Sequence, residues 1–210
     1  MEYEIRYYFS NNNLEEIIKK LSKIKSLEKN ERCYEKTMQF DHPNDEHSFY
    51  AKEIDGRFRI RITKSEKESK CKLSWKRRIK NTAACDVNTE EELEVNINIE
   101  EYNNFMHIIN NILKMKLIES YERYRTTFTN DEIEVSIDEY PFGIALEIEN
   151  KSKTKKPDQN VKKWAELLGL DIKDSYKLSW DDKYTELCNQ QKIEHYNHVT
   201  FDKKMPQILD

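Results

Sequence analysis

The segment Met1-Glu2-Tyr3-Glu4-Ile5-Arg6 decides how the rest of the chain reads. In an extended strand alternate side chains share a face. Glu2, Glu4 and Arg6 then point one way, and Tyr3, Ile5 and Tyr7 the other. Alone, this pattern suits a strand with one face in solvent and one on a core. Its recurrence changes the reading. Arg57, Arg59 and Arg61 alternate with Phe58, Ile60 and Ile62. Lys72, Ser74 and Lys76 alternate with Cys71, Leu73 and Trp75. Glu90, Glu92 and Glu94 alternate with Leu93, Val95 and Ile97. Further on, Arg123, Arg125 and Thr127 share a face, as do Glu134, Ser136 and Asp138, and then Glu147 and Glu149.

Between these strands the pattern changes period. Leu14, Ile17, Ile18, Leu21, Ile24 and Leu27 predict a helix that Asn13 can cap and that ends near Asn30. Cys33 to Phe40 reads as a further strand, closed by the turn signal Asp41-His42-Pro43-Asn44-Asp45. His42 and His47 have no partner at metal-ligand spacing and read as surface residues. The charged run Lys64 to Lys70 is expected at a hairpin tip, and Arg77 to Asn88 as a polar connection. Phe105, Ile108, Ile109, Ile112 and Leu113 predict a helix over Glu100 to Lys114, with Met106 and His107 as packing residues. Lys151 to Asn160 reads as a basic linker, followed by a short helix through Val161, Trp164, Leu167 and Leu168 that Gly169 stops. The remaining polar tail, with Ser175, Tyr176, Trp180 and Tyr184, is expected to pack on the exterior.

Composition bounds the alternatives. The chain has 210 residues, 36% charged and 37% hydrophobic, with 12 Tyr, 8 Phe and 3 Trp to build a core. A net charge of −4 argues against broad, non-specific nucleic-acid binding but leaves room for a local basic cluster. No apolar run is long enough to cross a bilayer and nothing resembles a signal peptide. Cys33, Cys71, Cys85 and Cys188 are scattered, which suits reduced, structural thiols and a cytoplasmic protein.

The polar faces sort by sign. Basic residues dominate Arg57/Arg59/Arg61, Lys72/Lys76 and Arg123/Arg125, while Glu2/Glu4, Glu92/Glu94 and Glu147/Glu149 are paired acids. One arrangement is an ordinary sheet with solvated charges. The other is a barrel turned inside out, with charges lining a lumen that can hold one small ligand. Crowded charges of one sign need compensation when desolvated. A polyanion suits the arginine forks, and a hard divalent cation suits the carboxylates.

These residues resemble the CYTH domains, the triphosphate tunnel metalloenzymes. Glu2-Tyr3-Glu4-Ile5-Arg6 is similar to the family's Glu-x-Glu-x-Lys signature, with Arg6 in place of Lys. Arg59-Ile60-Arg61, Leu73-Ser74-Trp75-Lys76, Glu92-Leu93-Glu94 and Arg123-Tyr124-Arg125 are similar to its successive tunnel strands. The block from Ile137 to Glu149, with Asp138, Gly143, Glu147 and Glu149, is the most specific match. Ser175-Tyr176 is similar to a pair in the family's C-terminal region.

The resemblance implies an α+β fold, an eight-stranded antiparallel barrel with helices outside. It assigns residues 1–150 to the tunnel and residues 151–210 to a helical extension of the same domain. It implies that Arg6, Arg59, Arg61, Lys76, Arg123 and Arg125 hold a triphosphate, and that Glu2, Glu4, Glu147 and Glu149 bind Mg²⁺ or Mn²⁺. Lys76, Arg59, Arg61, Glu92, Glu94 and Asp138 are its catalytic candidates, Glu92 and Glu94 as ligands or as orienting groups and Asp138 by orienting a basic side chain. The first activity it implies is metal-dependent hydrolysis of a small-molecule triphosphate, an RNA 5′ end being one substrate considered. A class IV adenylyl cyclase and a non-catalytic nucleotide or polyphosphate binder are the alternatives, and a homodimer is compatible with each.

Overall fold

The structure is a computed structural model and describes residues 1–79 and 87–210. Cys85 and most of the connection expected after Arg77 lie outside the described residues. Among the described residues ten strands form: β1 (Glu2–Phe9), β2 (Glu28–Lys29), β3 (Cys33–Asp41), β4 (Gly56–Lys64), β5 (Ser69–Arg78), β6 (Asn88–Ile97), β7 (Lys116–Thr129), β8 (Ile133–Tyr140), β9 (Gly143–Asn150) and β10 (His198–Val199). The helices are α1 (Leu14–Ser22), α2 (Tyr102–His107), α3 (Pro157–Leu167) and α4 (Trp180–Gln191).

Eight strands close a ring in the order β7-β3-β4-β5-β6-β1-β9-β8, and β8 pairs back onto β7. Every pairing within the ring is antiparallel. The two short strands attach to β7, β2 antiparallel and β10 parallel. Register places the polar faces together: Arg6 lies opposite Glu147, Glu4 opposite Glu149, Lys76 opposite Glu92 and Arg125 opposite Asp138. Because side chains alternate with period 2, one aligned pair on each ladder commits the whole face to the lumen.

The apolar faces therefore point outward, and helices cover most of them, while Leu93 and Val95 of β6 stay exposed. Ile5, Tyr7, Val135, Ile137, Leu146 and Ile148 form a core with Leu21 and with Val161, Trp164 and Ala165 of α3. A second core joins Met38, Phe40, Ile60 and Cys71 to Ile109, with Tyr102 and Phe105 of α2 packed against it. Fully burying one such aliphatic side chain contributes about 1.5–3 kcal/mol, so the helices are integral to the barrel. Gly143 sits at φ +151 in the β8–β9 turn, where a Cβ would lie 2.6 Å from Ile208.

Four expectations are corrected. The first helix ends at Ser22, since successive tight turns, Ile24 N–H to Leu21 and Leu27 N–H to Ile24, bury the last apolar residues instead. The segment expected as one helix over Glu100 to Lys114 is a 3₁₀ turn, then α2, then a π turn over Ile108–Ile112. That widening turns Ile108, Ile112 and Leu113 away from the barrel, and His107 is exposed rather than packed. The expected linker contains the first turns of α3, which starts on Pro157, where proline suits the first helical position. The tail is not merely exterior packing: α4 reaches the lumen, as described next.

Candidate active site

The lumen holds a cavity of about 270 Å³ lined almost wholly by charge. Among its walls are Glu2, Glu4, Arg6, Arg59, Arg61, Lys76, Glu92, Glu94, Arg123, Arg125, Glu147 and Glu149. Twelve of the thirteen residues singled out from the sequence thus meet on one surface. The thirteenth, Asp138, is fully buried behind it. Lys72, Glu134 and Lys151 complete the wet end. At that end Lys72 Nζ pairs with Glu94 Oε2 at 2.8 Å, and both side chains are over a third exposed.

Two groups of ion pairs differ in construction. In the first, Arg125 grips Asp138 with both prongs, Nε to Oδ1 and Nη2 to Oδ2, each at 2.6 Å. Its Nη2 also donates to Glu147 Oε2 at 2.8 Å. Arg123 donates from Nη1 to Asp138 Oδ2 at 2.7 Å and from Nε to Glu35 Oε2 at 2.8 Å. Glu35 further accepts from Thr63 Oγ1 at 3.0 Å. Arg6 Nε donates to Glu147 Oε1 at 2.7 Å. Burial opposes ionisation of Glu35 and of Glu147. The guanidinium groups overcome it, Arg123 first for Glu35 and Arg6 then Arg125 for Glu147, and hold both pKa values well below the carboxylate range.

In the second group Lys76 Nζ stands among three carboxylates: Glu90 Oε2 at 2.6 Å, Glu2 Oε2 at 2.9 Å and Glu4 Oε2 at 3.4 Å. Each of the three acids brings one oxygen within 4.8 Å of the others. Burial would lower the Lys76 pKa, but Glu4 and Glu2 raise it. Next to it, burial and a hydrogen bond to Glu2 push Glu92 up to about 7. Burial and then the Glu2 charge push Glu149 up to about 7 as well. Arg59 Nη2 lies 3.5 Å from Glu92 Oε1.

Glu35 and Glu90 carry geometry that the sequence did not assign to a site. Glu90 had a signal, because it shares the parity of Glu92 and Glu94. Glu35 had none, since Thr37 and Gln39, the next residues on its face, are uncharged. Trp180 was missed for another reason. It is the first residue of α4, packs at a tilt against Tyr121 with ring centroids 4.3 Å apart and lines the cavity end away from Lys72. The segment before it is tied to β1: Tyr176 N–H donates to Arg6 O at 2.7 Å and Arg6 Nη1 to Leu178 O at 3.3 Å.

No family model and no curated protein sequence matches the chain. Solved structures do. The PH1819 protein of Pyrococcus horikoshii OT3 is similar over 89% of this chain and 99% of its own, with 21% identity and a TM-score of 0.67. A proposed adenylate cyclase from Vibrio parahaemolyticus is similar over 86% and 95%, at 16% identity and a TM-score of 0.61. HpAC1 from Hippeastrum, a proposed adenylyl cyclase described as having a dominant triphosphatase activity, is similar over 93% and 98%, at 17% identity and a TM-score of 0.57. The closed eight-stranded barrel and these likenesses give the chain the CYTH, or triphosphate tunnel, fold.

Proposed function

Starting from that fold, we propose that this chain is a divalent-metal-dependent triphosphate phosphohydrolase working inside the barrel. The observation that carries the reading is the meeting of six cations and a carboxylate cluster around one 270 Å³ cavity. That volume lies just below the usual range of about 300–1,000 Å³ for organic-ligand pockets. It suits a phosphate chain, with any organic group left toward the wet end.

The residues fit the metal. Glu2, Glu4 and Glu90 offer converging oxygen donors, the donor type Mg²⁺ and Mn²⁺ prefer. Among the described residues, buried Glu2 Oε2 and Glu90 Oε2 have no aligned hydrogen-bond donor and lie beside the Lys76 ammonium. Glu149, opposite Glu4 on the neighbouring strand, and Glu147 beyond it extend the set. When bound, the metal would neutralise phosphate oxygens and make a water more nucleophilic.

The protein's own share is orientation and charge. Arg6, Arg59, Arg61, Arg123 and Arg125 present donors to the equatorial and leaving oxygens, where charge grows in a loose phosphoryl-transfer transition state. Asp138 does not touch the cavity; it fixes the planes of Arg123 and Arg125. Glu92, beside Arg59 and Glu2, is placed to orient that arginine or the attacking water.

The test is product analysis by ion-exchange chromatography after incubation of tripolyphosphate or ATP with Mg²⁺ or Mn²⁺. Orthophosphate release abolished by EDTA is the expected result. Pyrophosphate with cyclic AMP from ATP would replace the hydrolase with a cyclase. Binding of tripolyphosphate without turnover would leave a binding module.

A further inference from the structure

Among the described residues, Lys76 is the one tunnel cation held by three acids at once, and it stands where a metal ion ligated by those acids would stand. Its side chain is 13% exposed, and those of Glu4 and Glu90 are 5% and 6% exposed. A buried carboxylate trio without a cation would carry several kcal/mol of uncompensated desolvation per ion. The ammonium satisfies that demand from within the chain. It is a compact point charge on a flexible stem, so it can leave without disturbing the backbone. The arginines differ: Arg125 is locked to Asp138 by two parallel hydrogen bonds.

The whole lining has the same property of internal balance. Eight basic and seven acidic side chains face the cavity. A cation arriving alone meets carboxylates already paired with Lys76. A polyanion arriving alone leaves those carboxylates facing it. A cation and a polyanion arriving together supply each set with a partner.

We infer that Lys76 is a resident counter-ion that exchanges partners: it holds Glu2, Glu4 and Glu90 in the ligand-free protein and moves onto the phosphate chain when a divalent metal takes its place. The exchange makes metal and triphosphate binding mutually dependent. Metal alone must displace the ammonium toward arginines that no phosphate yet neutralises, and it binds weakly for that reason. Triphosphate gives the displaced ammonium a partner, and the metal then binds well. By linkage, the metal strengthens triphosphate binding by the same factor. The inference rests on the metal-and-triphosphate reading above, and it assigns Lys76 a positioning role beyond that reading.

Calorimetric titration of Mn²⁺ into the full chain, with and without the non-hydrolysable imidotriphosphate, tests it without any turnover. Wild type is expected to gain at least about tenfold in Mn²⁺ affinity when imidotriphosphate is present. Lys76→Met, similar in volume but uncharged, should bind Mn²⁺ alone about tenfold more tightly than wild type and show a much smaller gain on adding imidotriphosphate. Lys76→Arg keeps a cation among the acids and should bind Mn²⁺ alone no better than wild type. Unchanged or weaker Mn²⁺ binding by folded Lys76→Met overturns the exchange.

Nitrogen-15 NMR of lysine ammonium groups in wild type keeps the test open if Lys76→Met does not fold. The Lys76 signal, assigned with Lys76→Arg, should shift when Mg²⁺ and imidotriphosphate are added together. A signal unmoved by the pair overturns the inference. Turnover of tripolyphosphate without these effects removes the exchange and keeps the hydrolase. The effects without turnover keep the exchange and remove the hydrolase.

Discussion

The two ion clusters of this tunnel use the same kinds of charge to opposite ends. Around Asp138, forked guanidinium groups meet carboxylates edge to edge, and Glu35, Arg123, Asp138, Arg125 and Glu147 form one continuous network. Around Lys76, a single ammonium is shared by three acids at 2.6, 2.9 and 3.4 Å. Bidentate geometry fixes direction as well as charge, whereas a point charge fixes only charge. The difference teaches a division of labour: the arginine cluster is scaffold that presents spare donors to a phosphate chain, and the lysine cluster is exchangeable.

The comparison can be broken most forcefully at Asp138. Replacing it with Ala leaves Arg123 and Arg125 buried beside an empty acceptor, and breaking such a pair costs about 3–5 kcal/mol. In a chain of this size that is a fall of roughly 6–20 °C in melting temperature, read by calorimetry. An unchanged melting temperature would show that the network is not scaffold. Next comes Arg125→Lys, which keeps the charge and loses the fork. It is expected to lower kcat on tripolyphosphate by about 10²–10³, the cost of removing one oriented donor from developing charge, with a smaller fall in melting temperature than Asp138→Ala because a cation stays beside Asp138.

Titration sharpens the contrast, because Glu92 and Glu149, beside the lysine cluster, shift in the direction opposite to the arginine-held acids. Glu35 and Glu147 are held ionised by arginines, so their stabilisation is present above the ordinary carboxylate range and is lost as pH falls below it, through their lowered folded values. Glu92 and Glu149 are raised to about 7, so the folded chain takes up their protons first. Their contribution is present below the unfolded value of 4.5 and is lost as pH rises through about 7. Metal-free melting temperature should therefore decline by several degrees from pH 5 to pH 8, and Glu92→Gln should flatten that decline. The smallest effect is expected at the rim. Lys72 and Glu94 form an exposed pair worth less than about 1 kcal/mol, so Glu94→Gln should leave stability within that margin in chemical denaturation.

Much of this molecule is legible in its sequence, and one physical reason covers most of it. Side chains in a strand alternate strictly, so the charges of Glu2, Glu4 and Arg6 predict a common face before any partner strand is known. The same logic holds for Arg59 and Arg61, Arg123 and Arg125, and Glu147 and Glu149. Repeated in signed blocks, the pattern leaves an ordinary sheet and an inside-out barrel both open, and the resemblance to the tunnel family selects the barrel and most of the charged residues of its lumen. Helix ends were less legible. Apolar spacing continued past Ser22 because turns bury Ile24 and Leu27 as well as a helix would.

What only the tertiary structure decided is which charge meets which. Parity places Lys76 in the lumen but says nothing of the acids it faces; strand register and barrel curvature bring it to Glu2, Glu4 and Glu90. A lone acid such as Glu35 becomes a partner of Arg123 only across the ladder between β3 and β7. Trp180, far along the chain from the tunnel strands, reaches the lumen because Tyr176 and Leu178 are hydrogen-bonded to Arg6. Local periodicity is a property of one strand and can be read from the chain. Pairing between distant residues depends on closure of the whole sheet, and no short segment encodes it.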